Sequence, residues 1–222
     1  MNAIAIVSGG LDSVTLAYLL KAEGYNLHLL SFNYSQRHAK ELGYAKRCAE
    51  VLGARWSLVG LSTIAPLLAG SALTDKIPVP DGHYAADNMR VTVVPNRNAI
   101  MLAIAYAAAV SQGAGVVAIG VHSGDHHIYP DCRPEFVQAF DAMERLATEG
   151  YTAPSLRLYA PFLHLSKAEI VQRGATLGVD YAATWSCYKG GAVHCGKCGT
   201  CTERKEAFAL AGVVDPTIYQ ED

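Results

Sequence analysis

Short apolar runs alternate with helix-spaced apolar positions along most of this chain. Ala3–Val7 is a continuous apolar run that predicts a buried strand. Ser13–Ala22 follows as a helix with Leu16, Leu19 and Leu20 on one face, closed by Gly24. Leu27–Phe32 predicts a second strand, Arg37–Leu52 a helix ended by Gly53, and Arg55–Leu61 a third, weaker strand. Ser62–Arg90 carries Pro66, Pro78 and Pro80 among Gly and Asp residues and reads as a long loop, a length that usually serves function. Next come a strand near Val91–Val94, a helix over Asn98–Ser111, a strand over Gly115–Val121, a loop to Asp131 and a helix from Pro134 to about Thr148. Leu156–Pro161 has the look of a strand. Ser166 and Glu169 form a capping-box pattern for a helix running to Leu177 before Gly178. After Tyr181 the regular pattern fades until a helix over Thr202–Leu210.

Strands alternating with helices imply crossover units and hence a parallel sheet covered on both faces. The expected fold is therefore α/β, a doubly wound parallel sheet over residues 1–182, with a short cysteine-bearing C-terminal region, 183–222, packed on the same domain. Ligands of such sheets bind beyond the carboxyl ends of the strands.

Composition narrows the function classes. Hydrophobic residues are 51% of the 222 and charged residues 17%, against roughly 25% charged in an average domain, which excludes a disordered chain. A net charge of −2 argues against a general nucleic-acid binder, which needs clustered Lys and Arg. The N-terminus has no basic segment, and Ser8-Gly9-Gly10 interrupts its apolar run, so no secretory signal is expected. The longest apolar run, Ala99 to Val110, is too short to cross a bilayer. The reading is a soluble cytoplasmic protein with no membrane partner.

Ser8-Gly9-Gly10-Leu11-Asp12-Ser13 sits between a predicted strand and helix. Two glycines permit a tight turn and close approach of backbone to an anion. The unpaired N–H groups at the next helix's start suit phosphate. Ser8 and Ser13 add hydroxyls, and Asp12 can hold Mg²⁺. An ordinary glycine turn with Asp and Ser capping a helix is the plainer alternative. Gly113-Ala114-Gly115-Val116-Val117-Ala118 imitates a dinucleotide fingerprint but lies between helix and strand, the wrong order.

Cys187, Cys195, Cys198 and Cys201 crowd into a glycine-rich stretch. Four thiolates close a tetrahedral structural zinc site. An iron–sulfur cluster or free thiols are the alternatives, although the ferredoxin-style continuation is missing. His194 stands beside the cluster as a further donor. Cys48 and Cys132 stand alone, and Cys132 reads as a small buried residue rather than a nucleophile. His122, His126, His127 and Asp125 can suggest a second metal, but their spacing matches no familiar site.

The Ser-Gly-Gly-x-Asp-Ser loop resembles the pyrophosphate loop of the N-type ATP pyrophosphatases, which activate an oxygen on carbon by adenylation and then admit a nucleophile. Phe32-Asn33-Tyr34-Ser35-Gln36-Arg37-His38, Val94-Pro95-Asn96-Arg97-Asn98, Tyr129-Pro130-Asp131-Cys132-Arg133-Pro134-Glu135-Phe136 and Ser186-Cys187-Tyr188 with the trailing cysteines are similar to the QueC family of 7-cyano-7-deazaguanine synthases, from about Ile4 to Tyr219. Ser35 and Asn96 stand where that family often has Gly, and Gly124–Ile128 departs from its usual pattern.

The resemblance implies an adenine nucleotide alpha-hydrolase-like (PP-loop) fold. It also implies conversion of 7-carboxy-7-deazaguanine and ammonia to the nitrile with ATP and Mg²⁺ in queuosine biosynthesis, a structural Zn²⁺ and a homodimer. ATP is expected on Val7, Ser8, Gly9, Gly10, Leu11, Asp12 and Ser13, and zinc on the four clustered cysteines. Asp12, Ser13, Arg97 and Lys167 are the expected catalytic residues, and Arg37, His38, Asp131 and Arg133 the expected substrate contacts. An amide-stopping synthetase, a tRNA-modifying enzyme of the same superfamily and a non-catalytic zinc-dependent interaction protein are the competing readings.

Overall fold

Every predicted strand but one joins a single parallel sheet in the computed structural model, which describes residues 1–152 and 155–220. The strands are β1 (Asn2–Ile6), β2 (Asn26–Asn33), β3 (Arg55–Gly60), β4 (Val116–Ala118) and β5 (Arg157–Tyr159), in the order β3-β2-β1-β4-β5. All four neighbouring pairs are parallel, with Ile4 of β1 opposite His28 and Val117. The helices are α1 (Leu11–Ala22), α2 (Glu41–Leu52), α3 (Arg97–Gln112), α4 (Pro134–Ala147), α5 (Lys167–Thr176) and α6 (Gly199–Ala211).

The two-residue period of β1 sorts the helices onto two faces. Ile4 and Ile6 point into one core with Leu102 and Tyr106 of α3 and Phe140 of α4. Ala3, Ala5 and Val7 point into the other with Leu16 and Leu20 of α1, Ile170 of α5 and Phe208 of α6. Small side chains on that second face let α1 lie close to the sheet. Burying each such leucine contributes about 1.5–3 kcal/mol relative to leaving it in water. This is the doubly wound parallel arrangement the alternation predicts. The connections reverse direction between β1 and β4, which opens a crevice beyond their carboxyl ends.

The exception is Val91–Val94. Those residues form no strand; a 3-10 turn covers Asp87–Thr92 instead. Val94 is buried in the sheet's first core and Val91 packs near the cysteines, so apolar contact rather than ladder pairing accounts for this run. A four-residue apolar run cannot by itself separate the two. Residues 37–40 are turns, so α2 starts at Glu41 rather than Arg37. Gly113 closes α3 with φ +60°, and the following Gly115 leads into β4, so this stretch serves as a helix end.

A third, smaller cluster gathers Trp185 and the four clustered cysteines with Ala72 and Val79 from the long loop. Asp81 bridges to Cys198, and the Gly82 amide donates to the Lys197 carbonyl at 3.0 Å. The long loop is thus pinned to the C-terminal region. The last two residues of 183–222 lie outside the described ones. No helix among the described residues is long and apolar enough to cross a membrane.

Candidate active site

The chain leaves β1 at Val7 and turns through Ser8, Gly9 and Gly10 into α1. Gly9 sits at φ +99°, and its carbonyl accepts the Trp185 amide at 2.9 Å. The Ser8 and Gly9 amides point at the Ser13 hydroxyl, at 3.2 and 3.3 Å, and the Gly10 amide points at the Ser8 hydroxyl. Consecutive amides therefore converge on one spot. Gly10, the N-cap of α1, provides no side-chain cap, so the positive end of this helix faces the crevice. Val7, Ser8, Gly10, Leu11, Asp12 and Ser13 line the cavity there. Gly9 does not, because it packs backward against α2.

Acidic groups crowd one end of the cavity. Asp12 Oδ2 lies 3.4 Å from Lys167 Nζ, which in turn bonds Glu203 Oε2 at 2.5 Å. His122 is buried in the same cluster, its Nε2 3.5 Å from Asp125 and 3.9 Å from both Asp12 and Glu203. Its Nδ1 accepts the Gly124 amide, so Nε2 is the N–H side of the ring and faces the carboxylates. Burial works against the Lys167 charge, but Asp12, Glu203 and Asp125 outweigh it and raise its pKa. Three carboxylates against one ammonium leave two excess negative charges. Asp12 Oδ1 is buried with no partner among the described residues. That atom and that excess charge fit a divalent cation carrying phosphates.

The opposite wall is built around Arg97 at the start of α3. One guanidinium nitrogen donates to the Tyr34 hydroxyl at 3.2 Å, and Tyr129 and Tyr188 stand nearby. No carboxylate of the described residues lies within ion-pair distance of Arg97, which leaves a cation for an incoming anion. His38 lies beside Tyr188 with ring centroids 5.2 Å apart and the rings tilted by 44°; burial, then the Arg97 charge, lower its pKa to about 3, so its ring is neutral. Its buried Nδ1 has no partner among the described residues. Burial raises Glu41 to about 8, against the pull of Gln36 and Arg97. Burial also holds the Cys132 thiol well above its usual value, so it is no nucleophile at neutral pH.

Of the eight residues expected to act in catalysis or substrate binding, the fold gathers Asp12, Ser13, Arg97, Lys167 and His38 around one cavity. It keeps Arg37, Asp131 and Arg133 away from it. Arg37 donates to the Asp75 and Ile77 carbonyls and ties down the long loop. Asp131 accepts the Asn98 amide at 3.0 Å and thereby caps α3, and Arg133 donates to the His126 carbonyl. Each polar end already has a structural partner, which a linear motif does not reveal. Glu41 and Glu203 were missed: Glu203 because its partner Lys167 lies 36 residues away, and Glu41 because its burial in the cavity wall is not visible in a polar stretch of sequence. The long loop also adds Tyr84 and Met89 to the wall.

The four clustered cysteines are buried, with their sulfurs all within 4.8 Å of one another. Tetrahedral zinc with bonds of about 2.3 Å places sulfurs about 3.8 Å apart, so the spacing fits. The Lys197 and Cys198 amides donate to Cys195 Sγ at 3.5 and 3.3 Å. Hydrogen bonds, first from Cys187 and then from Cys201, lower the pKa of Cys198.

A family model described as Queuosine biosynthesis protein QueC matches residues 2–212. The chain belongs to the QueC family. It is 57% identical to 7-cyano-7-deazaguanine synthase 1 of Mesorhizobium japonicum, over all of this chain and 94% of that one. It is also 57% identical to the 7-cyano-7-deazaguanine synthase of Ruegeria pomeroyi, over all of this chain and 95% of that one. Among solved structures, NMN synthetase from Francisella tularensis superposes with a TM-score of 0.51 at 16% identity, covering 96% of this chain and 77% of that one. A predicted subunit of tRNA methyltransferase from Methanocaldococcus jannaschii gives 0.50 at 18% identity, covering 79% and 74%. These two likenesses concern the fold alone. Together with the five-stranded parallel sheet they support a doubly wound α/β fold for this QueC-family chain.

Proposed function

We propose that this QueC-family chain is an ATP-dependent carbon–nitrogen ligase that converts 7-carboxy-7-deazaguanine and ammonia to 7-cyano-7-deazaguanine in queuosine biosynthesis. The observation that carries the reading is the shared cavity: converging loop amides and an acid cluster in one part of its wall, and in another an arginine with no acid partner among the described residues. The relatives' names point to the nitrile product, and the cavity supports a physical route to it from the acid.

A carboxylate is inert to ammonia because oxide would have to leave. Attack of its oxygen on the α-phosphorus of ATP forms the acyl adenylate and expels pyrophosphate. Ammonia then adds to the carbonyl carbon, AMP leaves, and a proton is lost to give the amide. The amide oxygen takes a second adenylyl group from ATP, again expelling pyrophosphate. Loss of both protons from nitrogen and of AMP from carbon leaves the nitrile. Both activations occur at the same carbon, so one loop serves both.

The amides and hydroxyls of Val7–Ser13 hold the phosphates, with Lys167 beside them. Asp12 holds Mg²⁺, which neutralises phosphate charge when bound. Arg97 pairs with the substrate carboxylate in a bidentate geometry, and His38 meets the deazapurine from the tyrosine side. The catalytic contribution is positioning and charge stabilisation rather than covalent chemistry. Cys187, Cys195, Cys198 and Cys201 hold a structural Zn²⁺. Residues 183–222 form the zinc-binding region packed on the PP-loop domain, 1–182. The protein acts as a cytoplasmic homodimer on small molecules, without nucleic acid or membrane, in keeping with its net charge of −2.

The test is purified protein with 7-carboxy-7-deazaguanine, ammonium, MgCl₂ and ATP, followed by mass spectrometry. The nitrile is expected, with two pyrophosphates released per turnover. A product that stays at the amide, heavier by one water, or no deazapurine product at all, contradicts the reading. Arg97→Lys should raise KM for the acid while leaving KM for ATP near its original value.

A further inference from the structure

Glu203 belongs to the cysteine-bearing C-terminal region, yet its carboxylate lies in the nucleotide cavity. The helix α6 starts directly on Cys198, its N-cap, and carries Cys201 and Glu203 two residues apart. Cys201 faces the sulfur cluster while Glu203 reaches across to Lys167 of α5, at 2.5 Å. Glu203 is 8% exposed, a level at which an acid needs a partner.

Lys167 in turn needs an acid. It is the first residue of α5, where the helix dipole disfavours a cation. Its flexible stem has no other fixed direction. In the structure two carboxylates hold its ammonium, Asp12 and Glu203. Asp12 is the residue assigned above to the cation that accompanies ATP. Once Asp12 turns to that cation, Glu203 is the one carboxylate among the described residues still within ion-pair distance of Lys167, with Asp125 attracting it from farther off. His122 does not replace it, since its Nε2–H is a donor like the ammonium. Asp125 lies 3.5 Å from His122 and acts on Lys167 through its charge, without a direct ion pair to it among the described residues.

We propose that Glu203 is a positioning residue that keeps Lys167 aimed at the ATP phosphates, so that the cysteine-bearing region builds part of the catalytic cavity as well as stabilising the fold. This rests on the nitrile-forming reading above. Glu203 touches no reacting atom and acts through Lys167.

The experiment compares wild type with Glu203→Gln, Glu203→Asp, Lys167→Gln and the Glu203→Gln/Lys167→Gln pair, each checked for zinc content and melting temperature. Pyrophosphate release gives kcat and KM for ATP. Glu203→Gln should lower kcat about 10- to 100-fold, the scale of a small misplacement of a reacting group. Glu203→Asp should recover part of that loss. The double variant should match Lys167→Gln within about two-fold, because Glu203 has nothing left to position. A second readout needs no turnover: acetic anhydride labelling of Lys167, read by peptide mass spectrometry, should be slow in wild type and at least several-fold faster in Glu203→Gln. Wild-type kcat in Glu203→Gln overturns the proposal. So does a double variant that loses the full factors of both single changes, or unchanged labelling of Lys167. If Glu203→Gln fails to fold, the Glu203→Asp labelling rate decides alone, with an unchanged rate counting against the proposal. If wild type makes no nitrile, the function reading fails while the labelling comparison still judges the contact.

Discussion

Gly9→Ala is the sharpest structural test of the loop, because its cost can be worked from distances. A Cβ at Gly9 would lie 2.1 Å from the Glu41 carbonyl oxygen and 2.8 Å from the Ala45 nitrogen, both α2 backbone. No side-chain rotation relieves that contact; either the loop or α2 must move. The φ of +99° adds strain for any residue with a Cβ. Gly53→Ala isolates this second effect, since Gly53 has φ +58° and open space around it. A left-handed residue costs about 1–2 kcal/mol, which both variants share. Overpacking adds about 1–3 kcal/mol at Gly9 alone. For a chain of this size each kcal/mol shifts Tm by about 2–4 °C. Gly9→Ala should therefore melt about 2–12 °C below Gly53→Ala when followed by circular dichroism at equal zinc content. Its KM for ATP should rise too, because the displaced loop carries the amides at Ser8 and Gly10. If Gly9→Ala melts with or above Gly53→Ala and uses ATP normally, the loop is not wedged against α2 as described.

Ser35 and Asn96 invert that argument, for both hold positive φ, +65° and +57°, where glycine is unstrained. Ser35→Gly should raise stability by about 0.5–1 kcal/mol, and Asn96→Gly by less, since Asn tolerates this region; a lower melting temperature for Ser35→Gly refutes the strain. Glu41 gives a pH signature. Its folded pKa near 8 exceeds the ordinary value, so the folded state keeps an extra proton between about pH 4.5 and 8 and stability falls as pH rises through that window. Glu41→Gln removes this effect, so denaturant melts should show the variant gaining on wild type from pH 5 to 8, and a constant difference would contradict it. Cys198→Ser should lose both bound zinc and thermal stability, because a structural metal contributes folding energy; metal analysis should find about one zinc per wild-type chain, and a stable, zinc-loaded variant would remove the site's structural role.

The sheet and its helices were legible because the central strands are apolar runs, the edge strands keep a shorter apolar core such as Leu58-Val59, and most helices carry a clear end, such as Gly24, Gly53 or the Ser166–Glu169 box. The run at Val91–Val94 misled because burial by packing and burial in a ladder leave the same short pattern. Asp12 and the cysteines were readable as local clusters whose chemistry depends on spacing in the chain. Lys167 was readable as an anomaly, a cation at a helix start, but its partner Glu203 lies 36 residues away and meets it only through the packing of α6 on α5. Arg37, Asp131 and Arg133 show the converse. Their residue types suit a substrate, but the Asp75, Asn98 and His126 backbones already occupy them, and a sequence does not display which polar groups its own backbone will satisfy.

A crystal structure grown with a non-hydrolysable ATP analogue, Mg²⁺ and 7-carboxy-7-deazaguanine tests the account most directly. The triphosphate should lie on the amides between Ser8 and Ser13, the cation against Asp12, and the carboxylate of the acid between Arg97 and the α-phosphorus. Nucleotide bound elsewhere with that loop empty, or an acid whose carboxylate points away from Arg97, would contradict it.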